Sequence, residues 1–127
     1  MQGVRRASLL LVVLMIGPAS AGSGDRVGLS VSPRIGIEPA LVTIQVTVEK
    51  DADNRLLEVA AESPDYRRSS QITLEGSRAP RVNIVEFPAL PAGTYEVTCT
   101  LTGQSGGRIT LNKLLLVVEG SVRPRRR

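Results

Sequence analysis

The sequence contains no histidine and no tryptophan, a single cysteine, and two methionines, both within the first 15 residues. The missing histidine removes the commonest general base, the Ser-His-Asp and Cys-His arrangements, and the commonest transition-metal ligand. With Met1 and Met15 confined to the start and Cys99 alone, no soft-ligand set for copper or zinc is left. A lone cysteine also excludes an internal disulfide, so in an oxidising compartment the core alone must supply stability. Aromatics are equally scarce. Tyr66, Phe87 and Tyr95 are the whole set, too few for a platform on which sugar rings or unpaired bases would stack.

Long apolar runs are short of a membrane span. Ala7 to Ile16 is about ten residues, half the roughly 20 that a spanning helix needs. Preceded by Arg5 and Arg6, broken by Gly17-Pro18 and followed by Ala19-Ser20-Ala21, it has the order of a secretory signal. The expectation is therefore export to the periplasm or the extracellular space, with residues 1–21 removed after Ala21. The formal charge of +4 belongs to the ends. Of 16 basic residues, Arg5 and Arg6 lie in the leader and Arg123, Arg125, Arg126 and Arg127 in the tail, which leaves 10 against 12 acidic residues in between. Such a body has no clustered basic face with which to draw in nucleic acid.

What is present is alternation. Val27, Leu29 and Val31 are separated by Gly28 and Ser30, and Pro33 ends or bends this first strand before Ile35 and Ile37 carry the pattern on. In residues 41–49, Val42, Ile44, Val46 and Val48 point one way and Thr43, Gln45 and Thr47 the other, the β-branched pattern of a strand buried on one side. Residues 50–55 form a polar turn, after which Leu57, Val59 and Ala61 face a core. The long polar connection of residues 62–70 leads to a short strand marked by Ile72 and Leu74. Val82, Ile84 and, after a register change, Phe87 mark the next. Tyr95, Val97, Cys99 and Leu101 share one face of another. The final strand, residues 109–119, ends in the unbroken run Leu114-Leu115-Leu116-Val117-Val118, read as buried on both faces. This makes seven strands and no helix over residues 27–119, an all-β single domain.

The stretch Leu90-Pro91-Ala92-Gly93-Thr94-Tyr95, followed by Val97 and Cys99 at period two, resembles the entry to the sixth strand of bacterial immunoglobulin-like and fibronectin type III-like domains, with their Pro-x-Gly-x-Tyr motif. The resemblance implies a seven-stranded antiparallel β-sandwich. It also implies a structural role for Tyr95, which returns its hydroxyl to the backbone of the preceding loop; Cys99, alternating with Tyr95, Val97 and Leu101, is expected from that pattern to fill core volume. No tryptophan marks the third strand and no cysteine pair bridges the sheets, so an antibody-type domain is not expected. A transthyretin-like or carboxypeptidase-regulatory-like sandwich, which has a similar Gly-x-Tyr entry, is the competing fold.

Chemistry finds little to work with. Asp51 with Asp53, and Glu58 with Glu62, are pairs of carboxylates on a turn or a solvent face, not in a pocket that would tune them. Asp51-Ala52-Asp53-Asn54 has oxygens at alternate positions but lacks the glycine and distant glutamate of a calcium loop. The reading is therefore non-enzymatic, with no catalytic residue, metal or cofactor. Two interaction surfaces are candidates. One is Tyr66, Arg67 and Arg68 on the polar connection. The other is Arg123, Arg125, Arg126 and Arg127 in an expected disordered basic tail, residues 120–127, suited to an anionic envelope polymer or lipid headgroups. The function expected is an exported binding or structural module that acts as a monomer and engages an unidentified protein or anionic envelope polymer. The alternative is a subunit of a larger envelope assembly that pairs by β-strand addition.

Overall fold

The computed structural model describes residues 26–120. The leader and the four tail arginines lie outside that range. The chain forms β1 (Val27–Ser32), β2 (Ile35–Ile37), β3 (Ala40–Val48), β4 (Asn54–Glu62), β5 (Arg67–Thr73), a 3-10 turn (Gly76–Arg78), β6 (Val82–Leu90), β7 (Gly93–Gly103) and β8 (Arg108–Val118). They make two sheets, a three-stranded one in the order β1-β3-β6 and a five-stranded one in the order β2-β8-β7-β4-β5. The architecture is an all-β, two-layer sandwich.

Among the described residues there are eight strands where seven are expected, because the first divides. β1 pairs antiparallel with β3 as far as Ser32 opposite Thr43. Pro33 then offers no N–H to continue that ladder. The chain crosses to the other sheet, where β2 lies parallel to β8, with Ile35 opposite Leu116 and Ile37 opposite Val118. The sandwich is thus mixed and not wholly antiparallel. Both peptide bonds that bracket β2, Ser32–Pro33 and Glu38–Pro39, are cis.

The core lies between the sheets. It takes Val42, Ile44, Val46 and Val48 from β3, Leu57, Val59 and Ala61 from β4, Tyr95, Val97, Cys99 and Leu101 from β7, and Leu115 and Val117 from β8, none more than 4% exposed. Each aliphatic side chain so buried contributes about 1.5–3 kcal/mol relative to leaving it in water. In β6 the phase is opposite to the sequence expectation. Asn83, Val85 and Phe87 point inward, while Val82 and Ile84 face solvent. Asn83 is held by a bond from its Nδ2 to Pro80 O, 3.3 Å, and an inward polar residue hides the alternation that apolarity alone would reveal. β5 begins five residues before Ile72, because a polar edge strand has no apolar stripe to mark it.

The turn into β7 is fixed by three contacts. The Tyr95 ring is fully buried and its hydroxyl donates to Pro91 O at 2.7 Å. Opposite the start of β3, Ala40 pairs with Leu90 and Val42 with Phe87, so β6 carries one extra residue there, and Ala89 takes φ 60° to accommodate it. Glu38 joins the pieces. One carboxylate oxygen accepts from Ala92 N at 2.8 Å and the other from Gly120 N at 3.4 Å. A Cβ on Gly120 would lie 2.8 Å from Glu38 O, so the backbone there approaches as only glycine allows.

Candidate functional site

β8 alternates along its last third. Leu115 and Val117 enter the core, which sends Leu114, Leu116 and Val118 to the outer surface of the five-stranded sheet. Among the described residues no second layer covers them: Leu114 is 70% exposed, Leu116 40% and Val118 38%. The expectation that this strand is buried on both faces is therefore overturned. A run of five apolar residues reads alike whether its outer face is covered by protein or left open. β2 adds to the same surface. Its Gly36 faces inward and its Ile35 and Ile37 face outward, 67% and 65% exposed, beside Leu116 and Val118.

Five large apolar side chains thus form one contiguous patch at the sheet's edge. They expose several hundred Å² between them, about as much as the largest patch on an ordinary monomer. Arg34, Ile35, Thr94, Leu114 and Leu116 border a shallow groove of about 580 Å³ floored by Leu115. Other exposed apolar residues are dispersed. Val82 and Ile84 sit at one end of the outer face of the three-stranded sheet, opposite Thr47 and Gln45, and Leu41 sits at the other end.

The candidates read from sequence have other duties. Tyr66 is half-buried, packed on the core with its ring edge-on to Tyr95 at 6.4 Å and 82°. Arg67 pairs with Glu62 at 3.8 Å. Arg68 turns inward, its guanidinium 5.8 Å from the Phe87 ring centre and 3.4 Å from Pro88 O, so that it spans from β5 to β6. The three do not present one exposed aromatic and basic surface.

The acidic turn is a loop clamp. Asp51 accepts from Arg26 at 3.0 Å, and Asp53 accepts from Ser105 N at 3.0 Å and Ser105 Oγ at 2.9 Å, tying the β3–β4 turn to the β7–β8 turn. A Cβ on Gly103 would displace the Asp53 carboxylate, so glycine keeps the clamp closed. Glu58 accepts from Gln71 at 3.1 Å on the outer face. Among the described residues no three acidic or cysteine side chains are gathered as a metal would require. Burial raises the Cys99 thiol to about 11, which keeps it protonated and unreactive at neutral pH. Desolvation likewise raises the Tyr95 hydroxyl.

No protein-family model and no curated protein matches the chain. Among solved structures the fold is similar to superoxide reductase (neelaredoxin) from Ignicoccus hospitalis, with a TM-score of 0.60 at 11% identity over 72% of this chain and 80% of that one. A point variant of that protein gives 0.61 at 12% identity over 78% and 85%. The PmoD soluble domain from Methylocystis sp. ATCC 49242 (Rockwell) gives 0.51 at 15% identity over 72% and 90%. At such identities the likeness is one of fold, a framework on which unrelated sites are built. Among the described residues no helix is long and apolar enough to cross a membrane.

Proposed function

We propose that this chain is an exported, non-catalytic binding module of the immunoglobulin-like class, working in the cell envelope or outside the cell, and that it binds through the β2–β8 corner. The observation that carries this is the uncovered patch of Ile35, Ile37, Leu114, Leu116 and Val118 on a domain whose core is otherwise closed. The largest exposed apolar patch of a domain is often a functional surface. The immunoglobulin-like assignment is supported by the strand order, in which the first strand divides between the sheets, and by the bond from Tyr95 back to Pro91. Export rests on the leader pattern of residues 1–21. The non-catalytic reading rests on the chain's lack of histidine and on a single cysteine that burial holds as a thiol. For the same reasons we do not carry the activity named for the superoxide reductase neighbours over to this chain.

Assembly by strand addition has an observation of its own. β5 and β6 are edge strands of different sheets, and the cleft of about 330 Å³ between them is lined by Ser69, Ser70, Ile72, Ile84 and Glu86 and crossed by Arg68. The backbone edge of β6 is open there, although Pro88 shortens what a partner could pair with. Retention on an envelope fraction of the host cell separates the two readings. An Ile35→Thr/Leu114→Thr variant is expected to melt like the parent and lose retention. If it is retained as well as the parent, the corner is not the binding surface.

A further inference from the structure

Four strands lie at sheet edges: β1, β2, β5 and β6. β1 turns only Gly28, Ser30 and Ser32 outward, β2 is three residues long, and β5 carries Arg67 and Arg68 on its rim. Between Val82 and Phe87, β6 has none of these safeguards. The stretch Val-Asn-Ile-Val-Glu-Phe is rich in β-branched and aromatic residues, holds one charge and contains neither proline nor glycine, the composition of a segment prone to pair with its like. Its outward Val82 and Ile84 are 49% and 59% exposed.

The ladder with β3 decides which backbone groups of β6 are open. Glu49 N donates to Arg26 O at 2.9 Å and Val48 N to Arg81 O at 2.7 Å, so the odd-numbered residues of β3 bond towards β1 and the even-numbered ones towards β6. Hydrogen-bonded pairs alternate along an antiparallel ladder. Asn83 and Val85 therefore use their N–H and C=O on β3, while those of Val82, Ile84 and Glu86 point to the rim, where among the described residues no strand pairs with them. These three positions are symmetric about Ile84. So are the prolines that bound the stretch, Pro80 and Pro88, and Arg68 closes the far end by its bond to Pro88 O.

A second β6 laid antiparallel and centred on Ile84 thus matches open groups to open groups. Ile84 meets Ile84, and Val82 meets Glu86 of the other copy in both directions, with both bonds made in each pair and each proline left outside the ladder. Moving the centre to Val82 or Glu86 brings a proline opposite Ile84, and in the second case also sets Glu86 against Glu86. We infer that β6 pairs with β6 of a second copy in this register, joining two three-stranded sheets into one and making a dimer in place of the monomer expected from the sequence. The inference rests on the strand-addition reading above. The β2–β8 corner stays open in such a dimer, because β2 lies at the far edge of its sheet from β5, the strand nearest to β6.

Sedimentation equilibrium of residues 22–127, which hold every described element, should show the mass rise from one chain to two below about 1 mM and then level off. Amide exchange followed by NMR should slow at Val82, Ile84 and Glu86 as concentration rises. Ile84→Pro removes the central donor without breaking a bond to β3, so it should melt like the parent and weaken association about 100-fold, two central bonds at roughly tenfold each. Ile84→Lys keeps the backbone and sets like charges across the two-fold axis, and should weaken association to a similar degree. A mass of one chain up to about 1 mM overturns self-pairing. A dimer untouched by both substitutions, or one lost in the Ile35→Thr/Leu114→Thr variant, overturns it as well. If the chain is monomeric but Ile84→Lys loses retention on the envelope fraction, self-pairing falls and strand addition to another protein stands. If retention is also unchanged, both fall.

Discussion

On the outward face of the five-stranded sheet, β4, β5 and most of β7 carry Glu58, Gln71, Glu96, Thr98 and Thr100, whereas β2 and the end of β8 carry Ile35, Ile37, Leu114, Leu116 and Val118. Beneath both regions lies the same dry core. The change of character happens within a single strand, since β8 presents Thr110 and Asn112 outward before it presents Leu114 and Leu116. Folding does not require that change, because an outward side chain on an uncovered sheet adds little to stability whichever kind it is. The difference therefore concerns what each region offers at its surface: polar, hydrogen-bonding side chains over one half, and over the other the apolar corner proposed above as the binding surface.

The largest expected effect tests the two sides of the apolar half against each other. Leu115→Ala should cost about 2–5 kcal/mol in urea unfolding, through lost transfer energy and a residual cavity. Leu114→Ala, one residue away, should change stability by no more than about 0.5 kcal/mol. Comparable losses would mean that the outer face is covered and that the contrast does not exist.

The next effect probes the core under the polar half. Burial lifts Cys99 from 9.0 to about 11, so the unfolded chain gives up this proton at lower pH than the native one. Stability should be level below about pH 9 and fall as pH rises towards 11, by up to about 3 kcal/mol at 1.36 kcal/mol per unit. Tyr95, also raised by desolvation, adds to the decline at the alkaline end. Cys99→Ala should flatten the slope, and an unaltered slope in chemical denaturation at several pH values would show that Cys99 is not its source.

The smallest effect concerns the hinge between the halves. Tyr95→Phe keeps the buried ring and removes the bond to Pro91 O, which should cost about 0.5–1.5 kcal/mol and leave corner binding intact. Loss of binding in a variant that melts normally would make Tyr95 part of the site and not of its support.

The inward residues of β3, β4 and β7 were legible because each strand alternates against a single covered face, and Tyr95 was legible because the Pro-x-Gly-x-Tyr entry marks a known kind of corner. The corner patch was not. Ile35 and Ile37 alternate as core residues do, and only the jump between sheets at Pro33 puts Gly36 inside and the isoleucines outside. The run from Leu114 to Val118 has no period at all, so its exposed half is defined by the fact that no other described element lies over it. Tyr66 and Arg68 misled in the opposite sense. Their local sequence is that of a polar loop, but contacts with Tyr95 and Phe87, distant in sequence, draw them in. β6 was read in the wrong phase because Asn83 takes an inward place that apolarity does not announce.

The parallel pairing of β2 with β8 has a mechanical side. β2 lies near the start of the described chain and β8 at its end, and the two run in the same direction, joined by Glu38 N to Val118 O at 2.9 Å and Leu116 N to Arg34 O at 3.0 Å. A pull that separates the two termini drags these strands past each other lengthwise and loads all the connecting hydrogen bonds together, whereas peeling would break them one at a time. If the chain is anchored at one end and tugged at the other, this short ladder carries tension in shear once the pull has passed through the β1–β3 pairing that precedes it, and it lies directly beneath the surface proposed for attachment.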